Sequence, residues 1–283
     1  MYLVDCQNTM KFELKKGKRI GQVLFIVEGE STEPNLIYLV FSKILGYQME
    51  RIYRNGEYRV FHRIDDPYSR VTVINTEESN IKFIDKDNNY LDEVFRSLIE
   101  DYDFDIDNAA IYYLFDRDPA SNTDTEFIRD MLSNLASARD VNKDMMRQGL
   151  LLLSYPAIEA FVGMNLLTNS LEYCWVNQVS IGCDLKNALD KNRLLPNSIT
   201  EKTLMHCAKE LISSLHSIGI DANAEVFMNS LDTFSETNCQ IFEWQENKFI
   251  EKGQYGLLSL LMLALIDLGL IVICENEDTN NLT

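Results

Sequence analysis

The chain has 283 residues, 46% hydrophobic and 25% charged, which excludes a disordered polypeptide and allows one large domain or two modest ones. With 26 basic against 44 acidic residues it carries a formal charge of −18. That balance argues against unassisted tight binding to nucleic acid, whose affinity comes largely from phosphate contacts, although local fields can depart from the total.

Residues 1–19 form a basic N-terminal segment with Lys11, Lys15, Lys16, Lys18 and Arg19. Residues 23–27 (VLFIV) are a continuous apolar run of the kind a buried parallel strand shows, and they stop at Glu28-Gly29. A helix is expected next, with Thr32 as N-cap, Pro34 in the first turn, and Leu36, Ile37, Leu39, Val40, Ile44 and Leu45 at helical spacing. Residues 51–61 read as a hairpin around Asn55-Gly56, a favoured two-residue turn. Residues 70–74 (RVTVI) predict a strand. Residues 90–99 predict a helix with Leu91, Val94, Phe95, Leu98 and Ile99 on one face. Residues 109–115 (AAIYYLF) form a third apolar strand ending at Asp116. A helix over 123–135, a strand over 150–153 (LLLL) and a helix over 158–167 follow.

This alternation predicts an α/β fold with a mainly parallel sheet and functional groups beyond the carboxyl ends of its strands. From about Asn169 the pattern turns mostly helical, over 185–188, 201–216, 224–231 and 255–268, and a soft domain boundary falls near residue 170. The apolar stretch 257–273 (LLSLLMLALIDLGLIVI) contains Asp267 and Gly269 and is short for a membrane span. It reads as a buried helix running into a short strand.

Three acidic clusters sit directly after apolar strands: VEGESTEP at 27–34, FDRD at 115–118 and SYPAIE at 154–159. On an extended segment residues i and i+2 share a side, so Asp116 and Asp118 could face one cation while Arg117 points away. Mg²⁺ favours a few carboxylates together with water and phosphate oxygens. Glu28, at a neighbouring strand end, suits a further ligand or a proton-transfer group, and Gly29 permits close approach of a phosphate. Each cluster alone also fits helix capping or solvated loop charge, and Glu33 suits a helix first turn without any metal. Glu30 reads as a solvent-facing turn residue.

The segments IVEGESTEP (26–34), YLFDRD (113–118) and LLSYPAIEAF (152–161) together resemble the Toprim domain of type IA topoisomerases, bacterial primases, and OLD and RloB-like nucleases. EGESTEPN is most similar to the RloB-like, abortive-infection branch. The resemblance covers roughly residues 20–165, within a catalytic domain expected over 20–168. It implies a Rossmann-like, four-stranded parallel sheet flanked by helices and phosphodiester cleavage with Mg²⁺ or Mn²⁺. Glu28 would correspond to the catalytic glutamate, Asp116 and Asp118 to the metal-binding pair, and Glu33 and Glu159 to further acidic positions able to hold a second ion. It also implies the effector of an anti-phage system, held by an ATPase sensor partner. Where the family often follows its DxD with basic or aromatic residues, DRDPASNTDTE is polar and acidic, and residues 169–283 match nothing in the family.

Arg51, Arg54, Arg59 and Arg63, interleaved with Tyr53, Tyr58 and Phe61, could grip a nucleic-acid backbone, DNA or RNA. The alternative is a solvated hairpin with its aromatics in the core. The six cysteines, Cys6, Cys174, Cys183, Cys207, Cys239 and Cys274, have no zinc-ligand spacing, and the first residues do not form a signal peptide. A reduced, cytoplasmic protein without membrane association is expected. A homo-oligomer is compatible with the sequence. So is a second function class, a non-catalytic regulatory subunit that meets its partner through the acidic helical half.

Overall fold

The computed structural model describes residues 10–52, 58–76, 81–84, 89–102, 104–142, 147–172, 182–221 and 231–275. Elements are numbered in chain order. A two-stranded ribbon joins the chain ends, β1 (Met10–Leu14) pairing antiparallel with β10 (Ile271–Glu275). The main sheet contains β2 (Gln22–Val27), β3 (Gln48–Ile52), β4 (Tyr58–His62), β5 (Arg70–Asn75), β6 (Ala110–Asp116), β7 (Ala136–Asn142) and β8 (Arg147–Tyr155), with the short β9 (Leu258–Ser259) against β8. Its order is β3-β4-β5-β2-β6-β8-β7.

The fold is α/β, and the sheet is mixed. β5, β2, β6 and β8 run parallel as neighbours, whereas β3, β4, β7 and β9 are antiparallel additions at the flanks. Composition explains the division. VLFIV and AIYYLF bury side chains on both faces, as central parallel strands must, while β7 (ASARDVN) carries charge and polar groups suited to an edge. The expectation of a mainly parallel sheet thus holds for the centre and fails at the margins.

The helices are α1 (Thr32–Tyr38), α2 (Asn89–Tyr102), α3 (Thr125–Asn134), α4 (Ala160–Leu166), α5 (Gly182–Lys191), α6 (Glu201–Ser217), α7 (Leu231–Lys252) and α8 (Leu261–Asp267). The N-cap of α1 falls one residue earlier than expected: it is Ser31, which makes no side-chain capping bond. It continues as a π-helical segment, Leu39–Ile44, whose wider turn buries Val40, Phe41 and Ile44 and leaves Leu39 half-buried. In α2, Ile99 is 48% exposed while Leu98 is buried, so the apolar face is narrower than its spacing suggests.

A two-residue turn at Asn55-Gly56 would pair Ile52 with Arg59. The register pairs Ile52 with Tyr58, and the turn itself lies outside the described residues. So does most of the helix expected over 224–231. The helix expected over 255–268 is interrupted. Gln245 on α7 both donates to the Gly256 carbonyl and accepts its N–H, and Ser259 meets Ser154 at 2.8 Å, which draws 258–259 into the sheet as β9 before α8 begins. The helix-to-strand reading of 257–273 holds from there, α8 leading into β10.

Residues beyond 169 share one hydrophobic core with the sheet: Phe242, Leu258, Met262 and Leu265 lie in the same buried cluster as Phe25, Tyr112 and Leu153. Among the described residues no helix is long and apolar enough to cross a membrane.

Candidate functional site

β2, β6 and β8 are parallel, so their carboxyl ends fall at one edge of the sheet. β2 hands over to Glu28, whose N–H donates to the Leu114 carbonyl at 3.2 Å and so stays in line with the strand. β6 ends on Asp116, and β8 leads through a cis Tyr155–Pro156 peptide to Glu159, the N-cap residue of α4.

Hydrogen bonds lace these ends together. Glu28 Oε2 accepts the Asp116 N–H at 2.8 Å, and Asp116 Oδ1 accepts the Ile158 N–H at 2.8 Å. Glu33 Oε1 accepts the Gly29 N–H at 3.0 Å. A Cβ built on Gly29 would lie 2.5 Å from Glu33 Oε2, so the absent side chain is what lets this carboxylate close over the turn. Each of these bonds uses one oxygen of its carboxylate.

The electrostatics follow from burial and crowding. Glu28, Glu33 and Glu159 are 7%, 4% and 9% exposed. Burial pushes Glu28 up to about 7, against the lowering effect of the Asp116 N–H, and the charges of Glu33 and Asp118 push in the same direction as burial. Burial raises Asp116 well above the usual carboxylate range, and Glu28, Glu33 and Glu159 raise it further. Burial also raises Glu33 and Glu159; the charge of Glu33 adds to the second, while Lys186 and the Thr32 hydroxyl oppose it. The four carboxyl groups are therefore all harder to ionise than in water, chiefly through burial, with neighbouring carboxylate charge adding to it at Glu28, Asp116 and Glu159.

Glu28, Glu33, Asp116 and Glu159, named from sequence, are thus brought together. Asp118 lies just beyond the end of β6, close enough for its charge to raise Glu28. Its carboxylate accepts the Ala120 N–H at 2.9 Å and the Ser121 hydroxyl at 3.1 Å, stabilising the loop. Among the described residues, no group of three or more His, Cys, Asp or Glu side chains is placed to hold a metal ion.

Arg117 does point away from the carboxylates, and what it meets was not foreseen. It is 2% exposed; Nε and Nη2 each donate to Glu246 of α7 at 2.8 Å, and Nη1 donates to the Asn122 carbonyl at 2.9 Å. Tyr255 donates to the same Glu246, and the guanidinium lies 5.7 Å and 5.8 Å from the ring centroids of Phe242 and Tyr255. Asn122 closes the loop: its side chain donates to the Asp116 carbonyl and accepts the Ile81 N–H. The only sequence signal for this arrangement is an arginine between two aspartates, and its partner lies 129 residues away.

Of the arginines proposed for nucleic acid, Arg59 donates to Asn35 Oδ1 on α1 at 2.9 Å. Arg63 is engaged locally, forming a bidentate pair with Asp65 and donating to the Lys16 carbonyl. Arg51 lies in β3 opposite Arg59, but its side chain is not among those described, and Arg54 lies outside the described residues. Beside the carboxylates, Thr32 and Glu159 form one end of a cleft of about 500 Å³ between α1, α4 and α5. No protein-family model, no curated protein and no solved structure matches the chain.

Proposed function

We propose that this chain is a divalent-metal-dependent nuclease of the Toprim type, cleaving phosphodiester bonds in DNA or RNA. The observation that carries the reading is the convergence of Glu28, Glu33, Asp116 and Glu159 on the carboxyl ends of three parallel strands, where desolvation opposes the ionisation of each. Such a cluster is costly in the charged state without a cation, and its donors are all hard oxygens, the set that suits Mg²⁺ or Mn²⁺.

Asp116 and Glu28 would hold the ion, with Glu33 and Glu159 as further ligands once side chains turn from the placements described above. Asp118 would act from the loop that it stabilises. A bound ion would neutralise charge on the scissile phosphate and favour attack by water. Glu28, raised to about 7 chiefly by burial, would complete the ion's coordination or take the proton of the attacking water. The Asp116 N–H fixes that carboxylate in orientation, so the base does not have to be ordered during the reaction. A role as effector of an anti-phage system, restrained by an ATPase-bearing partner, rests on the sequence resemblance.

The test is cleavage of plasmid, linear and single-stranded DNA, total RNA and tRNA by the purified chain with Mg²⁺, Mn²⁺ or EDTA. Metal-dependent cleavage that Asp116→Asn abolishes is expected. Cleavage that persists in both Asp116→Asn and Glu28→Gln would overturn the assignment.

A further inference from the structure

The cleft beside Glu159 is built unlike a surface for duplex nucleic acid. Its lining is largely apolar: Tyr38, Leu39 and Leu194 are half-buried and Leu195 is 42% accessible, packed beside the buried Leu36, Val162 and Leu189. At about 500 Å³ it lies within the roughly 300–1,000 Å³ of sites that enclose a small ligand. The end formed by Thr32 and Glu159 borders the carboxylate cluster.

Charge sharpens the contrast. The cations that line or border the cleft are Lys43, Lys186 and, through its bond to Asn35, Arg59, and Asp190 and Glu159 offset two of them. Tight binding to a duplex draws on about 6–10 neutralised phosphates, far more than these groups supply. On a chain of net charge −18, affinity at this mostly apolar cleft draws more on apolar burial than on phosphate contacts. A base within a duplex cannot enter a concave site, because its faces are stacked and its edge is paired. An unpaired base can, with its sugar–phosphate reaching the carboxylates.

We propose that this cleft holds one unstacked base of a single-stranded nucleic acid, adjacent to the phosphodiester presented to Glu28 and Asp116. The inference rests on the nuclease reading and names its substrate class: single strands, DNA or RNA, in preference to duplex. Recognition is by base burial, so binding depends only weakly on salt. At most three phosphate contacts on a single strand give a slope of log K against log salt no steeper than about −2, against about −5 or steeper for a duplex held by six or more.

The experiment uses the full chain carrying Asp116→Asn, which prevents cleavage, and fluorescently labelled oligonucleotides followed by anisotropy. DNA and RNA are each presented as single strand and as duplex over a range of salt. Expected are binding to single strands at least about tenfold tighter than to duplex, a slope no steeper than about −2, and about a tenfold loss when one base is replaced by an abasic unit. Leu195→Asp, an exposed position, should weaken single-strand binding about tenfold while leaving the unfolding midpoint unchanged. Equal or tighter binding of duplex, or indifference to abasic units at every position, overturns the proposal. Wild-type cleavage is assayed in parallel. Metal-dependent cutting without single-strand preference defeats this inference alone, whereas no cutting and no binding of any nucleic acid defeats the nuclease reading with it.

Discussion

Replacing Arg117 by Met removes the charged partner of a buried carboxylate. Glu246 is 6% exposed and would keep only the Tyr255 hydroxyl among its present donors, while the Asn122 carbonyl would lose the Nη1 bond. Breaking a buried pair by deleting one partner costs about 3–5 kcal/mol, because the other charge is left uncompensated. Deleting both charges is a different perturbation. In Arg117→Met/Glu246→Leu the pocket becomes apolar around Phe242, and the main remaining cost is an unpaired Tyr255 hydroxyl, about 1–3 kcal/mol. Urea denaturation in EDTA should therefore show the single variant less stable than wild type by about 3–5 kcal/mol and the double variant recovering at least about half of that. Mn²⁺ affinity should not recover. Arg117 ties the loop that bears Asp116 and Asp118 to α7, and loss of such outer supports typically costs about 10–100-fold in metal binding. A double variant as unstable as the single one would refute the energetic reasoning. Wild-type Mn²⁺ affinity in the double variant would show that the pair stabilises the fold without positioning the loop.

Further predictions concern the carboxylates themselves. A folded-state pKa of about 7 for Glu28, raised from 4.5, means that the native protein binds its proton more tightly than the unfolded chain does. The associated stability is complete below about pH 4.5 and lost as pH rises through 7. At about 1.4 kcal/mol per tenfold change in proton affinity this amounts to about 3 kcal/mol. Denaturation in EDTA should show that decline between pH 5 and 8.5, and Glu28→Gln, which keeps an acceptor for the Asp116 N–H, should flatten it; an unchanged profile contradicts the assigned burial. Gly29→Ala should displace the Glu33 carboxylate rather than the backbone, since the clash is with a flexible side chain. Weakened Mn²⁺ binding with an unfolding free energy changed by less than about 1 kcal/mol is the expected result, and undiminished binding would remove Glu33 from the ligand set.

Much of this site was legible because its signals are local. Apolar runs such as VLFIV and AIYYLF can hardly be anything but buried strands, and an acidic residue directly after each lands at the same sheet edge once the strands run parallel. What stayed hidden depends on partners distant in sequence. β7 is too polar to look like a strand and exists because β8 offers it an edge, while β9 is drawn from an apparently helical run by Gln245 and Ser154. β1 and β10 find each other across the whole chain. α7 packs a face that includes Asn238, Gln245 and Glu246, so its buried positions are partly polar and its periodicity is blurred. Asp118 falls beyond the end of β6, where strand alternation says nothing of its bonds to Ala120 and Ser121.

The central claim is that the four crowded carboxylates form a metal centre, and direct Mn²⁺ binding tests it most plainly. Electron paramagnetic resonance titration of the wild-type chain at pH 7.5 should reveal bound Mn²⁺ that Mg²⁺ displaces, and binding should fall at least about tenfold in Asp116→Asn and in Glu28→Gln. Absence of bound Mn²⁺ at millimolar concentration, or binding that both variants leave intact, would contradict the account.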